Sequence, residues 1–432
     1  MGALPHQIDP VVPTEVAAAL AAVGRTEDLR FSPDGRRLAI AGFAHRTVVL
    51  VDLVVGEGPS VVITGAVVAT TDLRQPHGLD WLDPATLVVG DRAGGLALLD
   101  APPAGRGVRA LDVATRPVAT APGLLQGPGS VAVAGRGEVL VAGNWADVVT
   151  RHHLAPGDPT TVVAEEVWLR HGLDLPDGVA VSPDGRWVAV SNHNEQVVLV
   201  HDGAEDADPD EHRPAGVLRG ARYPHGLRFT GDGRLLVADA GSPVVLAYRP
   251  GPDGWRTAAY PDAAIRVLAD ETFAAGHRRP DEGGPKGIDV DPSGCVLAVT
   301  TEHRTLGFVD LGAALTAPAP PDPAALAAYE RDVLARHVAA RAEGHRRAHE
   351  ALAAEVREHD ARALAARTEE HLAAVEAAAA AARADAEDAR RRAEAAEHRA
   401  TDAEEHLAAI RATRLWRLAD RPRRLYARLR RP

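Results

Sequence analysis

The first three hundred residues repeat one pattern of apolar and polar positions six times. Each copy has a short apolar run after X-Gly, a polar turn, a second apolar run and then a third, as in DGVAVSPDGRWVAVSNH from Asp177. The runs are rich in Val and Leu, which is typical of strands that are buried on both faces. The Pro-Asp-Gly and Gly-Asp-Gly turns favour hairpins, because glycine accepts the positive φ that such turns need.

The copies are nearly equally spaced along the chain. Their first apolar residues lie 50, 52, 48, 48 and 61 positions apart and are, in order, Leu29, Leu79, Val131, Val179, Leu227 and Ile288. One small meander cannot bury both of its faces, whereas six arranged around an axis can. We therefore predict an all-β six-bladed propeller, followed by a long α-helical (coiled-coil) C-terminal extension. Residues 8–12 are expected to complete the sixth blade as an edge strand, and residues 16–23 to form a short helix at one rim.

Composition divides the chain into four predicted segments: a propeller (1–313), a Pro/Ala linker (314–323), an Ala/Glu/Arg-rich long helix or coiled coil (324–413) and a basic amphipathic tail (414–432). Residues 1–322 carry a net charge of −15 and residues 323–432 one of +3. Because an acidic propeller repels phosphates, we expect no DNA binding by the body of the protein.

Three further features of the sequence indicate the cellular location of the protein and the kind of organism that it comes from. The single cysteine, Cys295, excludes an internal disulfide framework and a zinc cluster built from cysteines. No basic stretch precedes a long apolar run at the start, so we expect no secretory signal and a cytoplasmic location. Lys286 is the one lysine among 48 basic residues, and this arginine bias, with abundant Ala, Gly and Pro, indicates a high-GC, actinobacterial source.

A ring of residues is predicted at the mouth of the central channel, where each innermost strand begins. In blade order the ring is Glu27, His77, Gly129, Asp177, His225 and Lys286. Blades three apart face each other, so Glu27 opposes Asp177 and His77 opposes His225. These four side chains are candidate ligands for Ca²⁺ or Zn²⁺, and His77, His225 and Lys286 are candidate catalytic groups. The alternative is a solvated or ligand-binding channel, in which Lys286 pairs with Glu27.

A second polar layer follows the second strand of each repeat. It comprises Asp91, Asn144, Trp145, Asn192, His193, Asp239, Glu302 and His303. These residues are candidates for binding a polar ligand such as a sugar, with Trp145 stacking on it. The alternative is ordinary Asn/Asp turn chemistry. The sequence contains no nucleophile elbow, phosphate loop, Rossmann fingerprint or metalloprotease motif.

The motifs PHGL, PDGV and SPDGR resemble those of NHL-repeat and YVTN-type propellers over about 27–311. More loosely, the pattern is similar to the gluconolactonase/senescence-marker-protein family of six-bladed hydrolases. In those enzymes the metal ligands occupy this position of the inner strand, a Glu in the first blade and then an Asn and an Asp. The resemblance implies Glu27 and Asp177 as ligands, with His225 or His77 in place of the asparagine. Inner-strand histidines of some NHL-type lyases, which bind metal, resemble His77 and His225.

The proline-free run 324–421 would extend roughly 147 Å as one helix. Its early large apolar residues are spaced like a coiled-coil seam, and between Val375 and Leu407 only alanine can pack. This favours a weak parallel dimer or trimer, with a lone solvated helix as the alternative.

The tail carries nine arginines against one aspartate over 411–432. An apolar face flanked by arginine suits an anionic membrane surface or a partner. The candidate contacts are Trp416, Arg417, Leu418, Arg421, Arg423, Arg424 and Tyr426. Trp416-Arg417-Leu418 and Pro422 resemble the ends of bacterial glycosyltransferases and methyltransferases of surface-polysaccharide loci. An arginine-rich tail with aromatic residues could equally bind RNA.

These features favour a non-catalytic scaffold that recognises a protein or glycan partner, and the resemblance of the tail implies a setting in bacterial cell-surface polysaccharide biosynthesis. Its helix is expected to form a homo-oligomer and its tail to associate peripherally with the inner face of the plasma membrane. The alternative is a metal-dependent lactonase, hydrolase or lyase, and a divalent cation is the one cofactor considered.

Overall fold

The computed structural model describes residues 4–316 except 136, 206 and 277–281. In the C-terminal part it describes residues 331, 369, 372, 373, 376, 380, 383–413, 418, 419, 422 and 423. The chain divides into two compact units, Met1–His345 and Arg346–Pro432.

The first unit consists mainly of β-strands. The first strands are β1 (Gln7–Ile8), β2 (Leu29–Phe31), β3 (Arg37–Gly42), β4 (Thr47–Gly56), β5 (Ser60–Thr71), β6 (Pro76–Asp83), β7 (Thr86–Asp91), β8 (Gly95–Asp100), β9 (Gly107–Val113), β10 (Arg116–Pro117), β11 (Pro128–Gly135) and β12 (Glu138–Gly143). The next are β13 (Val148–Ala155), β14 (Asp158–Leu169), β15 (Pro176–Val181), β16 (Trp187–Asn192), β17 (Val197–Asp202), β18 (Gly216–Leu218), β19 (Pro224–Phe229), β20 (Leu235–Asp239), β21 (Val244–Tyr248), β22 (Ala263–Arg266), β23 (Pro285–Val290), β24 (Val296–Thr301) and β25 (Gly307–Asp310). Among the residues described up to 316, three short helices, α1 (Thr14–Ala21), α2 (Asp270–Gly276) and α3 (Leu311–Leu315), and a 3₁₀ turn (Phe43–His45) join them.

Within the described residues the strands form six sheets, and this confirms the six-bladed propeller. The sheets are β2-β3-β4-β5-β9, β6-β7-β8-β10, β11 to β14, β15 to β18, β19 to β22, and β23-β24-β25-β1. Each innermost strand contacts the innermost strand of the next blade, and β23 of the sixth blade contacts β2 of the first. The inner strands therefore surround one axis.

The hydrophobic core is divided among the six junctions between neighbouring blades. Leu29 and Phe308, for example, pack together between the first and sixth blades, and Leu227 and Trp187 between the fourth and fifth. Side chains on both faces of each sheet are buried in this way, as the continuous Val/Leu runs predict.

The N-terminal strand closes the ring from outside. Gln7 pairs with Val309 and Ile8 with Phe308 in antiparallel register, so β1 is the outer strand of the sixth blade. The pairing ends before Pro10, which has no backbone N–H to donate. The predicted closing strand is therefore present, at Gln7–Ile8 rather than over 8–12, and the predicted helix is α1, which spans Thr14–Ala21 rather than 16–23.

The first blade carries a fifth strand that the repeat pattern does not predict. After β8 of the second blade, the chain returns and β9 pairs in parallel with β5, from Gly65–Gly107 to Thr71–Val113. The second blade is completed by the two-residue strand β10 instead. The twelve-residue strand β5 offers an open edge whose N–H and C=O groups β9 satisfies.

In the second unit the described residues include a helix over 383–412, here α4. A single long coiled coil over 324–413 is not shown, and most of that range lies outside the described residues. Of the predicted tail contacts, Leu418 and Arg423 are described, whereas Trp416, Arg417, Arg421, Arg424 and Tyr426 are not. Among the described residues, no helix combines the length and apolarity needed to cross a membrane.

Candidate functional site: the channel mouth

Five of the six ring residues, all except Glu27, sit where the innermost strands are locally irregular. The pairing of β6 with β7 shifts between Pro76 and Leu79, which flank His77, and the equivalent strands of the later blades shift at the same place. Such a bulge re-aims the side chain that it contains. The glycine that follows is required by crowding, since a Cβ on Gly78 would lie 2.5 Å from the Cα of Ser130 in the next blade. The X-Gly signature therefore marks a bulge against a neighbouring strand.

One half of the site is a group of opposite charges around Lys286. Its Nζ lies 3.2 Å from Oε2 of Glu27, 3.0 Å from Oε2 of Glu282 and 3.3 Å from Oε2 of Glu302. Arg25 donates a second charged hydrogen bond to Glu27. Burial alone would raise the pKa of Glu27, but the charges of Lys286 and Arg25 outweigh it and hold that pKa well below its ordinary value. Glu27 is therefore ionised.

The other half is centred on Asp177. Asn144 donates from Nδ2 to its Oδ1 at 2.8 Å, and Nδ1 of His225 lies 3.1 Å from its Oδ2. Nη1 of Arg92 and Nε2 of His193 lie 3.6 and 3.7 Å from the carboxylate. Burial opposes ionisation, yet the neighbouring imidazoles and Arg92 hold the pKa of Asp177 well below its ordinary value.

The two histidines of the ring connect these halves. His225 bridges the facing carboxylates, with Nε2 3.7 Å from Glu27 and Nδ1 against Asp177. His77 stacks on His225 at 6.2 Å between ring centroids. Its Nδ1 donates to the carbonyl of Gly129 and its Nε2 accepts from Arg92 at 2.8 Å, which assigns a neutral ring. Burial, reinforced by Arg92, lowers the pKa of His77 to about 4, in agreement with that state.

Gly129 is the ring position without a side chain, and Asn144 occupies its space. A Cβ on Gly129 would overlap Oδ1 of Asn144 and lie 2.6 Å from Oδ1 of Asp177. The amide of Asn144 thus takes the place of a third-blade ring residue.

Three donors converge closely enough to hold a metal ion. Ligand atoms of Asp177, His193 and His225 all lie within 4.8 Å of one another, and all three residues are buried. Among the described residues, Nε2 of His193 has no hydrogen-bond partner, and burial lowers the pKa of this histidine to about 3. The ionised carboxylate of Asp177 and the neutral imidazole of His193, with its buried Nε2, fit a Zn²⁺-like ion. Of the predicted ligands, Asp177 and His225 belong to this group, whereas Glu27 and His77 contact other partners.

The second polar layer splits into two kinds of residue. Asn144, His193 and Glu302, each directly after the end of a second strand, turn inward to the ring. Phe43 and Arg92, which the prediction did not include, hold the same position in the first two blades and also contact the ring. Those at the strand end bind backbone of the preceding loop: Asp91 accepts from Arg74 and Gln75, and Asp239 from Tyr223. Asn192 likewise bonds the backbone of Asp174 and Gly172. Asp91, Asn192 and Asp239 therefore make the backbone contacts of ordinary Asn/Asp turns, which was the alternative to ligand binding.

Trp145 and His303 lie outside the inward-facing set. The Trp145 ring packs 5.8 Å from the guanidinium of Arg92 and covers Gly127. His303 bonds the carbonyl of Ala275 from Nε2 at 2.7 Å. Arg25, Arg92 and Glu282 were missed by sequence reasoning. Aligning the second-strand ends would have found Arg92, because it shares its position with Asn144 and His193.

A cleft of about 590 Å³ opens beside the Lys286 group. Its lining includes Arg25, Glu282, Glu302 and His303, together with Gly24 and Gly276. The side chains of Glu282 and Glu302 are 15% and 17% exposed, while Lys286 behind them is fully buried. A ligand in this cleft would meet carboxylates and a guanidinium that are already fixed in place.

The fold and channel define the class of this protein as a six-bladed β-propeller. The family model described as "Lipoprotein LpqB beta-propeller domain" matches residues 6–161, which is less than half of the chain. No curated protein matches the sequence.

Several solved structures are similar in fold at low identity. A functionally unknown protein from Desulfotomaculum acetoxidans is 14% identical, with a TM-score of 0.42, over 64% of this chain and 79% of its own. A luciferin-regenerating enzyme is 13% identical, with a TM-score of 0.46, over 68% and 93%. A catalytically inactive virginiamycin B lyase from Staphylococcus aureus is 12% identical, with a TM-score of 0.41, over 67% and 81%. At such identity a likeness carries no information on function.

Proposed function

We propose that this protein is a non-catalytic propeller scaffold that recognises a polar partner, in the first place a glycan, at the channel mouth. The observation that carries the proposal is the cleft of about 590 Å³ lined by Arg25, Glu282 and Glu302. Acceptor carboxylates and a donor guanidinium in the lining of one cleft suit hydroxyl groups, which both donate and accept hydrogen bonds.

The charge pairing at the mouth supports binding rather than turnover. Glu27 is balanced by Lys286 and Arg25, and Asp177 by Asn144, His225 and Arg92. Groups held this way are rigid before a ligand arrives, and rigidity lowers the entropic cost of binding.

The C-terminal part of the chain supplies the proposed oligomerisation and membrane attachment of the propeller. We propose that the helical part assembles copies of the chain and that the arginine-rich end holds them at an anionic membrane surface, on the cytoplasmic side. We propose bacterial surface-polysaccharide biosynthesis as the setting, because Trp416-Arg417-Leu418 and Pro422 resemble the ends of enzymes from those loci. A protein of that machinery is the other partner consistent with the scaffold role.

Glycan binding is tested on an array of bacterial surface polysaccharides with the full chain. Glu302→Gln and Arg25→Gln should each weaken a signal that Asp253→Asn, on an exposed turn, leaves unchanged. An array without signal, or a signal that neither cleft variant alters, would overturn the glycan proposal.

Membrane association is tested by sedimentation with vesicles of anionic and of neutral lipid. The full chain should sediment with anionic vesicles, and removal of residues 411–432 should abolish this. Sedimentation that does not depend on those residues would refute the anchoring role.

A metal-dependent lactonase, hydrolase or lyase is the second candidate, favoured by the convergence of Asp177, His193 and His225. A bound divalent ion would polarise a substrate carbonyl there. His77 is neutral and lies beside the group, so its Nε2 can accept a proton once Arg92 moves away. Elemental analysis of the purified chain should then find one ion per chain, retained in His303→Ala and lost in His193→Ala. An ion content below stoichiometry, or one unaffected by His193→Ala, excludes this candidate.

A further inference from the structure

Helix α4 carries a continuous seam of apolar positions along one side. Successive members are alternately three and four residues apart, the spacing of heptad positions a and d: Ala386, Ala389, Ala393, Ala396, Ala400, Ala403, Leu407 and Ile410. All are exposed in the isolated chain, and Leu407 and Ile410 remain 46% and 41% exposed. We propose that this seam packs against the same seam of a further copy of this chain, parallel and in register.

The charges beside the seam favour that occupant and that direction. In a parallel coil each g position faces the e position five residues later in the partner helix. Over this helix the g-to-e pairs are Asp385–Arg390, Arg392–Glu397 and Arg399–Glu404, and in all three the charges are opposite. The next pair, His406–Arg411, adds no carboxylate.

An antiparallel arrangement matches only in part, since Arg390 would face Glu404 of the other helix at both ends. With the two seams fully overlapped in opposite directions, the centre of the coil brings Glu397 against its own copy and Arg399 against its own copy. Both contacts are between like charges. Two copies of this helix therefore have complementary charges when they are parallel. When they are antiparallel, like charges meet at the centre of the coil.

Alanine at most seam positions limits the strength of the association. Its methyl group buries little area but lets the helices approach closely, while Leu407 and Ile410 bury more at one end. The flanking charges therefore contribute a large share of the specificity, and added salt should weaken the assembly. This inference deepens the assembly role proposed above and does not depend on what the propeller binds.

Disulfide trapping on the full chain with Cys295→Ser tests the direction. Under mild oxidation Ala389→Cys alone and Ala403→Cys alone should each link to an identical chain, because in-register a and d positions adjoin. Glu405→Cys, on the opposite side of the helix, should not. Linking only in a mixture of Ala389→Cys with Leu407→Cys would show antiparallel helices and overturn the proposal.

Light scattering against concentration tests the charges. Arg399→Glu should raise the concentration of half-dissociation about tenfold. The reason is that every contact between position 399 and Glu404 of the neighbouring helix then joins two negative charges. Adding Glu404→Arg should restore the original value, and Arg391→Glu on the outer side should not change it. A chain that is monomeric at every concentration, or a double variant as weak as the single one, contradicts the inference. Glycan binding by a monomeric chain would leave the proposed binding role intact.

Discussion

Nζ of Lys286 lies 3.2 Å from Oε2 of Glu27 and joins the last blade of the propeller to the first. Both side chains are fully buried, and Arg25, Glu282 and Glu302 complete the charged group around them. The ring is thus closed twice, by β1 at its outer edge and by this ion pair beside the axis. An ion pair in such a position makes the removal of one partner costly, because the other charge remains buried.

Lys286→Met should lower the free energy of unfolding by about 3 kcal/mol, since Glu27 and two further carboxylates lose their common cation. Urea denaturation followed by circular dichroism measures the change. Arg116→Met is the control: its pair with Asp100 is exposed, so the loss there should stay below about 1 kcal/mol. Equal losses in the two variants would show that the buried pair contributes no more than a surface one.

Gly129→Ala should destabilise the protein by about 1–3 kcal/mol, because the new methyl group overlaps the amide of Asn144 and crowds Asp177. Gly231→Ala is the matched control, since nothing lies within 4 Å of its added Cβ and its φ is not positive. Thermal unfolding of both variants provides the comparison. If Gly129→Ala also carries Asn144→Ala, much of the lost stability should return. No recovery would mean that the overlap with Asn144 is not the main source of the lost stability.

How far the sequence predicts the fold depends on whether the signal is local. The hairpin glycines and the spacing of Leu29 and its equivalents specify six sheets, because turn chemistry and strand length act within each repeat. The return of β9 to pair with β5 was not predicted. Its residues alternate in the same way whichever blade they join, and only the open edge of β5 in the folded protein decides.

The site, too, has a part that local sequence signals predict and a part that depends on the folded protein. The ring could be predicted because Glu27, Asp177 and Lys286 hold equivalent positions in a repeat. Its partners were harder to identify, since Arg92 and His193 reach the ring only because the bulges set the register of the second strands. Asn192, next to His193 in the chain, bonds backbone instead. Neighbouring residues on a strand face opposite ways, so an error of one position exchanges a ring contact for a turn contact.

Ile8→Ala should lower the free energy of unfolding by about 2 kcal/mol, because Ile8 is the buried side chain of the strand that closes the sixth blade. Hydrogen exchange should also quicken at the amides of β25, whose partner strand is loosened. Val54→Ala, at a position 57% exposed, should cost less than about 0.5 kcal/mol. Unchanged exchange in β25 would argue that the propeller closes without β1.

Acid should destabilise this protein through histidines that the fold keeps neutral. His201 is fully buried, and neither ring nitrogen has a hydrogen-bond partner in the part of the chain that the structure describes. Burial, with smaller contributions from His212 and His171, lowers the pKa of His201 to about 3. The ordinary histidine pKa near 6.5 applies once the chain unfolds.

Between about pH 6.5 and pH 3 the unfolded chain therefore binds a proton at this position that the folded protein does not. Stability is complete above pH 6.5 and falls as the pH decreases, by up to about 1.4 kcal/mol per pH unit for each such histidine. Between about pH 6 and pH 4 Asp28 acts in the opposite direction, since burial raises its pKa to about 6 in the folded protein. Denaturant unfolding from pH 7.5 to pH 4 should show His201→Phe reducing the slope by about one proton. Trp168→Phe, in the same aromatic cluster, removes no titrating group and should keep the slope; a slope that His201→Phe leaves unaltered would contradict the buried neutral state.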